Sequence, residues 1–187
     1  ILTENYESIS RYMHWLSAQQ EKVDTILYTH IGAGTATGDW LSYAPIESRY
    51  VSMAYYAYVA QLMDSICTTL GKEAEALHYR SLYDDIRSEF QQRYMTADGN
   101  LKQTSQTAYL LALRFDLLPE PYRQAARDSL RQRIETNDYC LSTGFVGTGI
   151  LCKTLTDESM NDLAYALLLQ RKNPSWLYSI DQGATTV

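Results

Sequence analysis

The sequence predicts an all-α chain forming part of an (α/α)6 barrel, an α/α toroid whose inner helices line a ring and whose outer helices clad it. Three observations carry this expectation. Apolar residues recur at helical spacing along most of the chain, and no segment alternates convincingly as a strand does. Poorly charged helices take turns with highly charged ones. Tight helix joints take turns with long connections.

The first helix is expected over residues 3–20, with Tyr6, Ile9, Met13 and Leu16 on one stripe. A second spans 46–70, with Val51, Tyr55, Tyr58, Leu62 and Ile66 aligned and Gly71 as its C-terminal stop. The third follows at once over 72–94, striped by Tyr79, Leu82, Ile86 and Phe90. "TSQTAYLLALRFD" at 104–116 makes the fourth and "EPYRQAARDSLRQRIE" at 120–135 the fifth. The sixth opens near Phe145, and "DESMNDLAYALLLQ" at 157–170 is the seventh.

Charge sorts these helices into two kinds. The second has 3 charged residues in 25 and the third 9 in 23; the fourth has 2 in 13 and the fifth 7 in 16. The sixth has Lys153 alone before the acidic joint that follows it. A helix with few charges is surrounded by protein, whereas an amphipathic one turns a face to water. Connection length alternates in step. "LGKE", "DLLPEP" and "LTDE" are tight joints of an αα-hairpin kind, whereas 21–45, 94–103, 137–144 and 171 onward are longer. Antiparallel helices put successive connections at opposite ends, so one end gathers the long loops. A solenoid would repeat at a fixed period, near 34 residues for a tetratricopeptide array. The weakly charged helices instead start near 46, 104 and 145, which is irregular. A toroid of six hairpins needs twelve helices, so residues 1–187 read as one portion of a barrel domain, with segments before and after it missing.

Composition narrows the function classes. Apolar residues make up 45% and charged residues 20%, as in a globular domain. A net charge of −6 and pI near 5.0 give no basic footprint for nucleic acid. No apolar run approaches a membrane span. Cys67, Cys140 and Cys152 are odd in number and widely spaced, which fits buried structural thiols. The 16 tyrosines, beside 3 Trp and 3 Phe, suit both helix packing and a sugar-binding cleft.

Most unusual residues fall in the long loops. "YTHIGAGTATGDWLSYAP" places three glycines beside Asp39 and Trp40, without the strand or spacing of a dinucleotide fingerprint. Asp39 could bond a sugar hydroxyl while Trp40 stacks on the sugar's apolar face. Equally, Asp39 could cap a local turn while Trp40 plugs the loop onto the barrel. "LSTGFVGTG" lacks the lysine of a phosphate loop, so its glycines read as close packing at a helix start, with Gly144 and Phe145 as scaffold. "NPSWLYSIDQGATTV" brings Pro174 and Trp176 over the loop end. His14, His30 and His78 lack metal-ligand spacing, and no metal or cofactor is expected. The loop-end carboxylates Asp39, Asp98 and Asp181 do not identify a pair flanking a glycosidic bond.

Taken in order, "GDWL", "SQTAYLLALRFDLLPE", "STGFVGTGILCKTLTD", "NDLAYALLLQRKNPSWLY" and "QGATT" resemble the catalytic domain of bacterial α-L-rhamnosidases, glycoside hydrolase family 78. The resemblance implies an (α/α)6 barrel and inverting hydrolysis of terminal, non-reducing α-L-rhamnose from a rhamnosylated carbohydrate. It implies a general acid upstream of Ile1 and a general base just after Val187, the two about 6.5–9.5 Å apart. Neither catalytic carboxylate is then expected in this chain, and the chain alone is expected to be inactive. Trp40 matches a family aromatic that contacts the sugar, with Asp39 beside it. Trp176 matches the "PSW" element near the base loop, where the resemblance implies either contact with rhamnose or support of that loop. "TGILCK" departs from the family's more usual "TPYLL" after "GFVG". The resemblance also implies a periplasmic or extracellular setting, and an open barrel face invites self-association. A non-catalytic helical scaffold and another toroid glycosidase are the alternatives. A lyase for acidic sugars fits less well, because the loops hold few Lys or Arg.

Overall fold

The computed structural model describes residues 1–23 and 38–186, so His30 and the first two glycines of the long loop lie outside the described residues. Eight helices are present among them: α1 (Leu2–Val23), α2 (Ser48–Thr69), α3 (Glu73–Tyr94), α4 (Gln106–Arg114), α5 (Glu120–Thr136), α6 (Phe145–Asp157), α7 (Asn161–Leu168) and α8 (Trp176–Asp181). Helices α2 and α3, α4 and α5, and α6 and α7 pack as successive hairpins, while α2 meets α4 and α4 meets α6. Thus α2, α4 and α6 stand side by side as the inner layer, and α3, α5 and α7 clad them. The charge alternation is this layering.

Burial follows the same division. Every residue of α4 from Gln106 to Leu113 is buried, so this helix is covered all round. The outer helix α5 buries one stripe, Ala126, Leu130 and Ile134, at i, i+4 and i+8. Along α3 the stripe is Ala76, Tyr79, Tyr83, Ile86, Phe90 and Tyr94. The stripe expected on α2 is offset from its true core face: Leu62 is 41% exposed, whereas Tyr50, Met53, Ala54, Ala57, Ala60, Met63 and Cys67 are sealed. An inner helix has neighbours on several sides, and alanines let them approach closely.

Tyrosine hydroxyls stitch the layers together. Tyr50 donates to the Ala108 carbonyl at 2.8 Å, and Tyr83 to the Asp116 carbonyl at 2.8 Å. Tyr94 donates to Glu47 at 3.2 Å. Tyr56 shares a 3.2 Å hydrogen bond with Ser17 of α1. A phenylalanine would supply the area but not the tie, which is the reason for tyrosine at these four positions.

The tight joints share one device. After α2, α4 and α6 the chain turns through Gly71, Asp116 and Ser159, at φ of 70°, 53° and 61°. In each case the next amide reaches back five residues: Lys72 to Cys67, Leu117 to Ala112 and Met160 to Leu155. These are Schellman caps, which satisfy the last carbonyls of a helix and stop it. The joint expected inside "LTDE" therefore falls at 158–160, and α7 starts at Asn161, four residues later than expected. Short α4 puts the 115–119 joint beside the middle of α3. The joints lie opposite the long loops without being level.

Candidate functional site

The inner helices present their N-termini to the loop-rich end, and Asp39 draws two of them together. Its carboxylate is 4% exposed. It accepts from the Thr107 hydroxyl at 2.5 Å, at the start of α4. It also accepts from the backbone amides of Gly144 and Val146, both at 2.8 Å, and of Gly147 at 3.3 Å, at the start of α6. Gly144 is the N-cap of α6 and has no side chain to cap with. Asp39 therefore caps α6 from a distant loop, where helix geometry favours a negative charge. The turn reading of Asp39 anticipated a cap; the helix it caps is over a hundred residues away in sequence.

The loop after Asp39 is laced to the segment before α6. Phe145 donates its amide to the Trp40 carbonyl at 3.0 Å, and the Tyr43 and Ala44 amides reach the Ser142 carbonyl at 3.2 and 3.3 Å. A Cβ on Gly144 would lie 2.1 Å from the Trp40 carbonyl oxygen, and one on Gly147 would lie 2.4 Å from the Thr107 hydroxyl oxygen. Both glycines are thus required by close approach, as the packing reading of "LSTGFVGTG" expects.

This lacing leaves an aromatic platform on the outside. Trp40 and Phe145 stack with ring centroids 5.3 Å apart and planes 19° from parallel. They are 58% and 67% exposed, unusual for rings this large. Leu41 follows at φ 63°, in a turn closed by the Ser42 amide on the Asp39 carbonyl at 3.0 Å. Phe145, read from sequence as scaffold, is half of the platform. The signal was its position at the very start of an inner helix, where a side chain can escape the core.

Trp176 stands on the neighbouring segment. It is half-buried against the core as the first residue of α8, whose Ser175 cap accepts from the Tyr178 amide at 3.1 Å. The Leu141 amide bonds the Pro174 carbonyl at 3.0 Å and ties this segment to the one before α6. The structure thus pairs Trp40 with Phe145, with Trp176 one segment away. Tyr55 lies near Asp39 as well: burial, then the neighbouring carboxylate, push its phenol above the usual range. Among the described residues no cluster of His, Cys, Asp and Glu has the geometry of a metal site.

Loop-end carboxylates are mostly engaged. Asp39 is taken as described, Glu47 accepts from Tyr94, Lys172 bonds Asp138 at 2.9 Å and Arg171 bonds Asp181 at 2.5 Å. Asp98 has no partner among the described residues, and a single free carboxylate cannot flank a glycosidic bond from both faces.

All 187 residues match the family model of the bacterial α-L-rhamnosidase six-hairpin glycosidase domain. The chain belongs to that family. An α-L-rhamnosidase of Streptomyces avermitilis is 41% identical over 174 residues, covering 92% of the chain and 16% of the relative. One from Formosa agariphila is 33% identical over 197 residues, covering 100% of the chain and 20% of the relative. The chain therefore spans a fifth or less of the length of these curated relatives. The crystal structure of the Streptomyces avermitilis α-L-rhamnosidase complexed with L-rhamnose superposes with a TM-score of 0.88 at 38% identity, covering 100% of this chain and 17% of that one. The family fold is thus the α/α toroid that the helix alternation predicts.

Proposed function

We propose that residues 1–187 are a portion of the (α/α)6 catalytic domain of an inverting α-L-rhamnosidase that removes terminal, non-reducing α-L-rhamnose from glycosides. The observation that carries this reading is the exposed Trp40–Phe145 platform, held at the loop-rich end of the inner helices in a chain that matches the family throughout. A pyranose has an apolar C–H face that packs on an aromatic ring. In this reading Trp40 touches the sugar, Asp39 positions Trp40 through the α6 cap, and Trp176 supports the adjoining segment. The general acid and base come from outside this chain, in keeping with the engagement of the loop-end carboxylates.

The test is hydrolysis of p-nitrophenyl α-L-rhamnoside by the full-length protein that carries the chain. Trp40→Ala is expected to lower kcat/KM by about tenfold or more, because a central aromatic contact is a typical hot spot. The isolated 187-residue chain is expected to release no p-nitrophenol. Turnover by the isolated chain, or a Trp40→Ala enzyme as fast as the parent, would overturn the reading.

A further inference from the structure

A pocket opens on the same loop-rich end, and its polar groups are sorted. The cavity of about 200 Å³ lies between the start of α4 and the end of α5, lined by Thr104, Ser105, Arg133, Thr136, Asn137 and Ser142, with Ala44 and Gln106 completing the wall. The Gln106 side-chain amide is already engaged, donating to the Cys140 carbonyl and accepting from the Ser142 amide. Ser142 and Ala44 belong to the two laced segments that also bear Trp40 and Phe145, so the pocket adjoins the platform. Arg133 has no carboxylate or carbonyl partner among the described residues. Three other cations of this end are engaged: Arg171 by Asp181, Lys172 by Asp138, and Lys102 by the Arg93 carbonyl at 2.7 Å.

The remaining groups divide by where their protons go. The Thr136 hydroxyl donates to the Gln132 carbonyl at 2.7 Å, and the Asn137 amide to the Cys140 carbonyl at 2.8 Å. Thr136 Oγ1 and Asn137 Oδ1 are therefore left as acceptors. Ser105 Oγ accepts from the Ala108 amide at 3.2 Å and keeps its proton to donate. The hydroxyls of Thr104 and Ser142 have no partner among the described residues. A bare anion would answer Arg133 but would face two acceptor oxygens. A neutral sugar would answer the acceptors and leave the guanidinium unmatched. A ring bearing both hydroxyls and a carboxylate satisfies both sets, and a guanidinium fork binds a carboxylate in a bidentate manner.

We infer that this pocket is a subsite for an acidic sugar, a uronate, next to the platform. The choice of a sugar builds on the carbohydrate reading above; the binding test does not depend on turnover. Titration calorimetry of the full-length protein with methyl β-D-glucuronoside is expected to show binding, with methyl β-D-glucoside and inorganic sulfate each weaker. Arg133→Ala is expected to weaken glucuronoside binding by about tenfold, the loss of a charge-assisted contact. Arg133 bonds no other described residue through its side chain, so the variant should fold, which its melting curve checks. Glucoside or sulfate binding as tightly as the glucuronoside, or Arg133→Ala binding it as well as the parent does, would overturn the inference. Glucuronoside binding without rhamnoside turnover would sink the catalytic reading and leave this one standing; turnover without glucuronoside binding would do the reverse.

Discussion

Asp39→Ala is expected to destabilise the protein by roughly 3–5 kcal/mol, because one buried carboxylate holds the starts of two inner helices. The substitution leaves the amides of Gly144, Val146 and Gly147 and the Thr107 hydroxyl without the acceptor they share. Unanswered buried donors cost more than the hydrogen bonds themselves contributed. Nothing local can take over, since the α6 cap residue is Gly144. Asp39→Asn separates charge from shape. It keeps one acceptor oxygen but turns an NH2 group toward donors, for an expected loss of roughly 2 kcal/mol. Denaturant unfolding followed by circular dichroism checks both numbers. An Asp39→Ala protein as stable as the parent would show that the cap is ornamental.

Raising the pH through about 10 is expected to unfold the protein cooperatively, because its buried tyrosines resist ionising. Burial pushes the fully enclosed Tyr50 well above its ordinary value of 10.0. Burial, then Asp116, carries Tyr83 from 10.0 to about 12. Burial, then the Glu47 carboxylate, raises Tyr94 as well. Burial is also the leading cause at Tyr55, Tyr56 and Tyr79. A phenol whose pKa is raised on folding contributes stability that is fully present below about pH 10 and lost as pH climbs toward the folded value. For Tyr83 alone the difference amounts to roughly 2–3 kcal/mol. Phenolate absorbance should therefore rise steeply and together with loss of helical circular dichroism. Gradual ionisation with the helices intact would contradict the expectation.

Layering was legible in the sequence because it is a local property: each helix carries its own charge count and stripe, whatever it packs against. Sharp boundaries were legible where glycine or proline marks them, as at Gly71 and Pro119. The joint after α6 was misplaced because Ser159 adopts a left-handed conformation that the residue type does not advertise. Helix α8 was missed because six residues are too few to show a period. At the site, Asp39 and Trp40 stood out for their composition, but the partner of Asp39 lies on α6, and no local pattern encodes that pairing. Arg133 sat unnoticed within a charged outer helix, since sequence does not distinguish a solvated arginine from one overlooking a pocket.

The Asp39 clamp also bears on how the chain assembles. Its donors on α6 lie 105 to 108 residues from the carboxylate, whereas each hairpin closes through one short joint. Closing a loop of that length costs roughly 4 kcal/mol in chain entropy beyond a fixed term, so the clamp is expected to form after the hairpins have docked. Helical content would then return during refolding before the fluorescence of Trp40, read with Trp15 and Trp176 replaced by phenylalanine; simultaneous recovery would refute this order. A molecule can therefore hold its full complement of helices and still lack a binding platform. The platform acts as a late checkpoint on assembly, completed only when every hairpin between residues 39 and 147 has found its place.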